Sequence, residues 1–282
     1  MTTPPILGKV YLVGAGPGAA DLITSRGAKL LADADIVFHD ALVEPEMLDL
    51  CPQAVLVAVG KRCGKLSSAQ QFINKRLIDA AQKYKIIVRL KGGDPMLFGR
   101  ADEELNSLKE AGIEVAVVPG ITAALAGAAS IEKSLTLRGI SRSVAFVTLA
   151  QANASLGENL VAGTPISNPS ADTLVYYMGR KDASKIAGQL IVLGKSHGPE
   201  TPVKILEAVS TSRERLWDST LAQLAAGKAD DWFDSSSPAL IMVGEALRSE
   251  TKDAAINSKS SCPKVNNGLQ DSQILSNSRR RA

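Results

Sequence analysis

Short apolar runs recur at residues 9–13, 36–38, 55–59, 86–90 and 115–118, and stretches of helical period separate most of them. Runs that are continuous rather than alternating mark strands buried on both faces. With helices between them, they predict a mainly parallel sheet covered by helices. The clearest helix is expected over 68–84, where Ile73, Leu77, Ala81 and Tyr84 fall on one face and Ser68 with Gln71 has capping-box spacing. An earlier helix should begin near Thr24 or Ser25, either of which suits an N-cap. A third is expected over 101–111, closed by Gly112, because glycine takes the left-handed conformation at a helix end most cheaply.

After Pro119 and Gly120 the pattern restarts with a small-residue helix and then strands at 144–149, 173–178, 202–206 and 239–243. The expected layout is therefore α/β, with an N-terminal α/β domain over 1–120 and a second over 121–248. Residues 151–172 are rich in Ala, Ser, Asn, Gly and Pro without periodicity, which predicts a loop. Residues 249–282 turn polar and are expected to form a tail without fixed structure.

Composition narrows the function classes. The 32 Lys and Arg exceed the 29 Asp and Glu only slightly, and Arg279, Arg280 and Arg281 carry that excess at the end of the chain. A near-neutral fold offers no electrostatic footprint for nucleic acid. No apolar stretch approaches the roughly 18 residues that span a bilayer, and the N-terminus has no signal-peptide pattern, so a cytoplasmic protein is expected. Cys51, Cys63 and Cys262 fit neither a disulfide framework nor paired zinc spacing and read as free thiols. His39 and His197 stand far apart, and no metal site is expected.

The chemistry gathers at glycine-rich strand ends. Gly14-Ala15-Gly16-Pro17-Gly18 follows a strand and precedes a helix, so backbone can approach a ligand closely. With Ala19 and with Asp40 about 20 residues on, it also fits a loose dinucleotide fingerprint, which keeps an NAD-dependent oxidoreductase as an alternative. Against that alternative, Pro17 has no N–H to give a pyrophosphate. Gly92-Gly93-Asp94-Pro95 ends another expected strand and runs on through Leu97 to Gly99-Arg100. Pro119-Gly120-Ile121-Thr122-Ala123 and Tyr177-Met178-Gly179 repeat the arrangement. Clusters of this kind at the carboxyl ends of strands suggest one shared cleft.

Taken in order, Gly14–Gly18, His39-Asp40-Ala41-Leu42-Val43, Gly60-Lys61-Arg62, 92–100, 119–123, Tyr177-Met178-Gly179 and 238–245 resemble the tetrapyrrole methylase family. The strings at 92–100 and 119–123 are its specific part. The resemblance implies a class III methyltransferase-like fold, with S-adenosylmethionine held in the cleft between two α/β domains of a homodimer. It implies cofactor contacts at Pro17, Gly92, Gly93, Asp94, Leu97, Thr122, Ala123 and Met178. Val209 is implied as well, in place of a family glycine. Asp40 and Lys61 match the proposed proton acceptor and donor. The implied activity is methylation of uroporphyrinogen III, twice, to give precorrin-2 for siroheme or cobalamin. A polycarboxylate substrate calls for cations, and Arg62, Arg100 and Arg138 are the expected binders, with Lys61, Lys65 and Arg142 as further candidates. The sequence departs from the family at Ala41, Leu137, Leu149 and Ala150, all on the expected substrate side. A related tetrapyrrole acceptor therefore stays open.

Overall fold

The computed structural model describes residues 7–59, 66–148, 169–194 and 196–249. In chain order the first half contains β1 (Lys9–Gly14), α1 (Ser25–Ala32), β2 (Ile36–His39), α2 (Pro45–Leu48) and β3 (Val55–Ala58). It continues with α3 (Leu66–Ala81), β4 (Ile86–Lys91), α4 (Ala101–Glu110) and β5 (Val115–Val118). The second half contains α5 (Ala123–Ser130), β6 (Val144–Thr148), β7 (Thr173–Tyr177), α6 (Ala183–Leu193), β8 (Pro202–Glu207), β9 (Arg215–Thr220), α7 (Leu221–Ala225) and β10 (Ala239–Val243). The described residues up to Arg248 pack as one compact unit.

The first five strands form a sheet in the order β3-β2-β4-β1-β5, and each pairing is parallel. Val10, Leu12 and Val13 of β1 and Ile87, Val88 and Leu90 of β4 are fully buried, as continuous apolar runs require. The chain leaves β1 towards β2 on one side and leaves β4 towards β5 on the other. Neighbouring strands whose exits diverge open a crevice at their carboxyl ends, where parallel sheets bind ligands.

The second sheet, in the order β6-β7-β10-β8-β9, is mostly antiparallel, a pairing the sequence left unspecified. Only β6 and β7 run parallel; β10 pairs antiparallel with β7 and β8, and β9 pairs antiparallel with β8. β9 was not expected at all, because Arg215-Leu216-Trp217-Asp218 carries no apolar run. It is held by cross-strand charge instead: Lys204 faces and pairs with Asp218, and Glu207 faces and pairs with Arg215.

The helices follow their apolar faces. Thr24 caps α1, its Oγ1 accepting from Gly27 N at 3.2 Å. The expected capping box fails, since α3 already begins at Leu66 and places Ser68 inside it. Its end at Ala81 also leaves Tyr84 beyond it, while Ile73, Leu77 and Ala81 pack in the core as expected. Most of the loop expected over 151–172, the tail beyond Ser249, and Cys63 and Cys262 lie outside the described residues. Cys51 is a free, buried thiol whose pKa is pushed up by burial and secondarily by Asp49. No helix among the described residues is long and apolar enough to cross a membrane.

Candidate functional site

The turns that follow β1 and β4 are zipped together. Ala15 N donates to Lys91 O at 2.8 Å, Gly93 N donates to Gly16 O at 2.7 Å, and Gly16 N donates to Gly93 O at 3.2 Å. A third backbone closes in from β5: a Cβ at Gly14 would lie 2.6 Å from Gly120 Cα and 2.7 Å from Gly93 O. No side chain fits that approach. Gly93 differs, because its φ is +68° and a Cβ there would meet nothing within 4 Å. Asp94 ties the strand ends together, Oδ2 accepting from Gly120 N at 2.9 Å and Oδ1 from Met96 N at 2.8 Å.

The second half joins this framework at α5. Thr122 stands at the N-cap, yet its side chain makes no capping bond. The Tyr177 hydroxyl does so instead, accepting from Ala124 N at 3.1 Å and sharing a hydrogen bond with Thr122 Oγ1 at 2.6 Å. Burial pushes the Tyr177 phenol pKa up, against the smaller opposing pull of Thr122 and Ala124. Its ring sits 5.1 Å from Phe98 and 6.1 Å from Phe146. Met178, the next residue, is 55% exposed at φ 55°.

After β8, Ala208 and Ser210 take left-handed conformations on either side of the buried Val209. Val209 itself has no positive φ, so a β-branched side chain sits there without left-handed strain. Ser210 Oγ accepts from Ala19 N at 3.1 Å, and a Cβ at Gly18 would lie 2.9 Å from Val209 O. Phe98, Arg100, Met178, Ala208 and Ser210 thus hold positive φ around the joined strand ends. Such conformations cost energy and cluster where a surface must be shaped.

The structure brings Pro17, Gly92, Gly93, Asp94, Leu97, Thr122, Ala123, Met178 and Val209 onto one connected set of turns. Asp40 joins them at the end of β2, where Leu42 Cβ would lie 3.2 Å from a Cβ on Gly92. Among the expected substrate cations, Arg100 grips Glu103, with Nε to Oε1 and Nη2 to Oε2 both at 2.6 Å. Arg138 is exposed and has no partner among the described residues. Arg142 donates its backbone N–H to Asp172 at 2.9 Å. Lys61, Arg62, Lys65, Leu149 and Ala150 lie outside the described residues.

Two groups escaped the sequence reading. One is the Tyr177 hydroxyl. The other is a buried charge cluster in which Arg89 Nη2 donates to Asp40 Oδ1 at 2.6 Å and Arg89 Nε to Glu104 Oε1 at 3.1 Å. Lys91 Nζ donates to Glu104 Oε2 at 3.1 Å, and Gln70 Nε2 donates to Glu104 Oε1 at 3.1 Å. Burial pulls the Lys91 pKa down, assisted by Arg89. Burial also opposes charge on Arg89, but Asp40 and then Glu104 outweigh it and raise its pKa. The available signal was two cations set within the otherwise apolar run of β4.

Comparison with known proteins places this geometry. The family model for Tetrapyrrole (Corrin/Porphyrin) Methylases matches residues 9–225. A uroporphyrinogen-III C-methyltransferase of Pseudomonas aeruginosa is 42% identical over 244 residues, covering 86% of this chain and 95% of that protein. A siroheme synthase of Psychrobacter sp. (strain PRwf-1) is 41% identical over 87% of this chain, but the match covers 49% of the relative, so the chain spans about half its length. The crystal structure of a Thermus thermophilus uroporphyrin-III C-methyl transferase complexed with S-adenyl homocysteine superposes with a TM-score of 0.70 at 36% identity, over 86% of this chain and 94% of that one. Matching the family model along most of its length, and a family enzyme along nearly all of that enzyme's length, the chain belongs to the tetrapyrrole methylase family.

Proposed function

We propose that the protein transfers methyl groups from S-adenosylmethionine to uroporphyrinogen III, twice, giving precorrin-2 for siroheme or cobalamin. The observation that supports this most is the joining of strand-end turns from both sheets: those after β1, β4 and β5 pack backbone to backbone, those after β7 and β8 tie to them through Tyr177 and Ser210, and Gly93 has open space where its side chain would be. On this reading domains 1–120 and 121–248 enclose the cofactor between them in a cytoplasmic homodimer.

The residues present suit that cofactor. The open space at Gly93 takes a flat or polar group at close range, Gly92 keeps the neighbouring backbone free of a side chain beside Leu42, half-buried Leu97 adds apolar surface, and exposed Met178 offers a soft contact. Thr122 and Ala123 present the start of α5. When bound, S-adenosylmethionine supplies an electrophilic methyl group on a sulfonium. The chain's own part is to align the acceptor carbon, exclude water and take up a proton, because forming a carbon–carbon bond at a pyrrole requires a proton to leave the macrocycle. Asp40 is the carboxylate placed to accept it, held by Arg89 through one oxygen. Arg100 and Arg138 are the described cations assigned to the substrate's carboxylates.

An anaerobic assay with S-adenosylmethionine and uroporphyrinogen III, read by the mass of the tetrapyrrole, tests the proposal. A gain of two methyl groups is expected. Cofactor binding without a methylated product would redirect the assignment to another acceptor, with Leu137 the first position to revert. Asp40→Ala should lower kcat by about 10²-fold or more, the usual worth of a positioned base, while calorimetric affinity for the cofactor stays close to wild type. Full turnover in that variant would remove Asp40 from the mechanism.

A further inference from the structure

β4 places Ile87, Arg89 and Lys91 on one face and Val88 and Leu90 on the other. The first face lies under α3 and α4, where Ile87 packs with Ile73, Leu77 and Leu108. Two cations continue that apolar face, and both are buried: Arg89 is 2% exposed and Lys91 4%. The carboxylate that meets them, Glu104 of α4, is 0% exposed. A buried ion cluster is a poor device for stability, since desolvation consumes much of the attraction and apolar residues would serve as well. This one has a direction. Its members are balanced in charge, its interior is closed by Gln70, and its only partly exposed end is Asp40, at 27% of the side chain.

We propose that Glu104 is a positioning residue for Asp40, acting through Arg89. The two Glu104 oxygens are divided between Arg89 Nε and Lys91 Nζ, so the guanidinium plane is fixed from behind and Nη2 is presented to Asp40 Oδ1. Asp40 Oδ2 has no partner among the described residues and remains for the substrate. A planar guanidinium serves this purpose because its donors are rigidly related; a lysine at 89 would offer one rotating point charge. Holding a reacting carboxylate to a single geometry matters because misplacement by about 1 Å can cost roughly 10²-fold in rate.

The inference rests on the reading of Asp40 as the group beside the substrate, and the experiment separates the two. Glu104→Gln is made alone and with Asp40→Asn, and Arg89→Lys is carried in parallel in case the first variant does not fold. Methyl transfer, cofactor affinity and a crystal structure are obtained for each. With Asp40 present, Glu104→Gln should lower kcat roughly 10- to 100-fold while the cofactor Kd stays near wild type. With Asn at position 40, the same change should have no further effect. Equal losses in both backgrounds would overturn the proposal, because Glu104 would then act elsewhere. If wild type fails to methylate the tetrapyrrole, the functional reading fails, and the crystal structures decide the positioning role. Loss of the Asp40–Arg89 contact in Glu104→Gln supports it, and an unmoved Asp40 overturns it.

Discussion

Gly120→Ala isolates the close approach on which the site depends. A Cβ at Gly120 would lie 2.3 Å from Gly93 O, 2.8 Å from Gly14 Cα and 3.0 Å from Gly14 C. All three obstacles are backbone, so no rotamer change relieves them. The ends of β1, β4 and β5 must separate by on the order of 1 Å to reach ordinary contact distance. Overpacking of this kind costs about 1–3 kcal/mol. The same movement pulls Gly120 N from Asp94 Oδ2, now 2.9 Å away. Weakening that charge-assisted bond brings the total to about 3 kcal/mol. For a domain of this size the expected fall in Tm is about 6–12 °C. Gly188→Ala is the control: it lies within α6, a Cβ there meets nothing within 4 Å, and the change should stabilise by about 0.5–1 kcal/mol. Thermal melts and calorimetry with S-adenosylmethionine read both variants. Gly120→Ala should also lose measurable cofactor affinity, whereas Gly188→Ala should keep it. A Gly120→Ala protein that melts within 2 °C of wild type, by the same ~2–4 °C per kcal/mol scale, would refute the argument from close approach.

Gly93→Val should leave the fold formed at a cost of about 1–2 kcal/mol for its left-handed backbone, yet abolish cofactor binding by filling the open space, as calorimetry would register. Tyr177→Phe removes the hydroxyl that caps α5 and should lower stability by about 1 kcal/mol in a denaturant titration, since Ala124 N loses its partner. Asp234 is held down to a pKa of about 2, first by the Ser236 backbone N–H and then by the Ser236 and Ser237 hydroxyls. Its folded value lies below the ordinary 3.8, so its contribution to stability is present above about pH 4 and lost as pH falls through 2. An NMR titration of the Ser236 amide should show a midpoint near 2, and a midpoint near 3.8 would contradict the hydrogen-bonded turn.

Legibility in the sequence followed apolar character. The strands of the first sheet announced themselves because each carries an apolar run, although β3 turns out to be a largely exposed edge and β4 carries two cations, and Gly112, at φ +71°, stands just past α4 as its type predicted. β9 stayed hidden because its partners recognise charge rather than hydrophobicity, and a pairing such as Glu207 with Arg215 has no local signature before the strands meet. The start of α3 was misplaced for a related reason: Ser68 and Gln71 have the right spacing, but the helix extends two residues further back, to Leu66. Antiparallel pairing in the second sheet was equally unreadable, because strand direction depends on where the chain returns and not on the composition of the strand.

The same distinction runs through the site and explains why its two sides differ in how they can change. At Gly14 and Gly120 the backbone contacts are shorter than any side chain allows, and Gly93 holds a left-handed φ, so sequence there is dictated and visible. Where the requirement is only a backbone position, a side chain is permitted: Val209 is β-branched without strain because the left-handed residues beside it, Ala208 and Ser210, carry the bend. Asp40 belongs to neither class. Its placement depends on Arg89 and, behind that, on Glu104, 15 residues further along the chain and meaningful only once α4 covers β4. A carboxylate fixed from the interior takes its geometry from groups distant in sequence, so Asp40 is held by side chains of β4 and α4 rather than by the residues on either side of it.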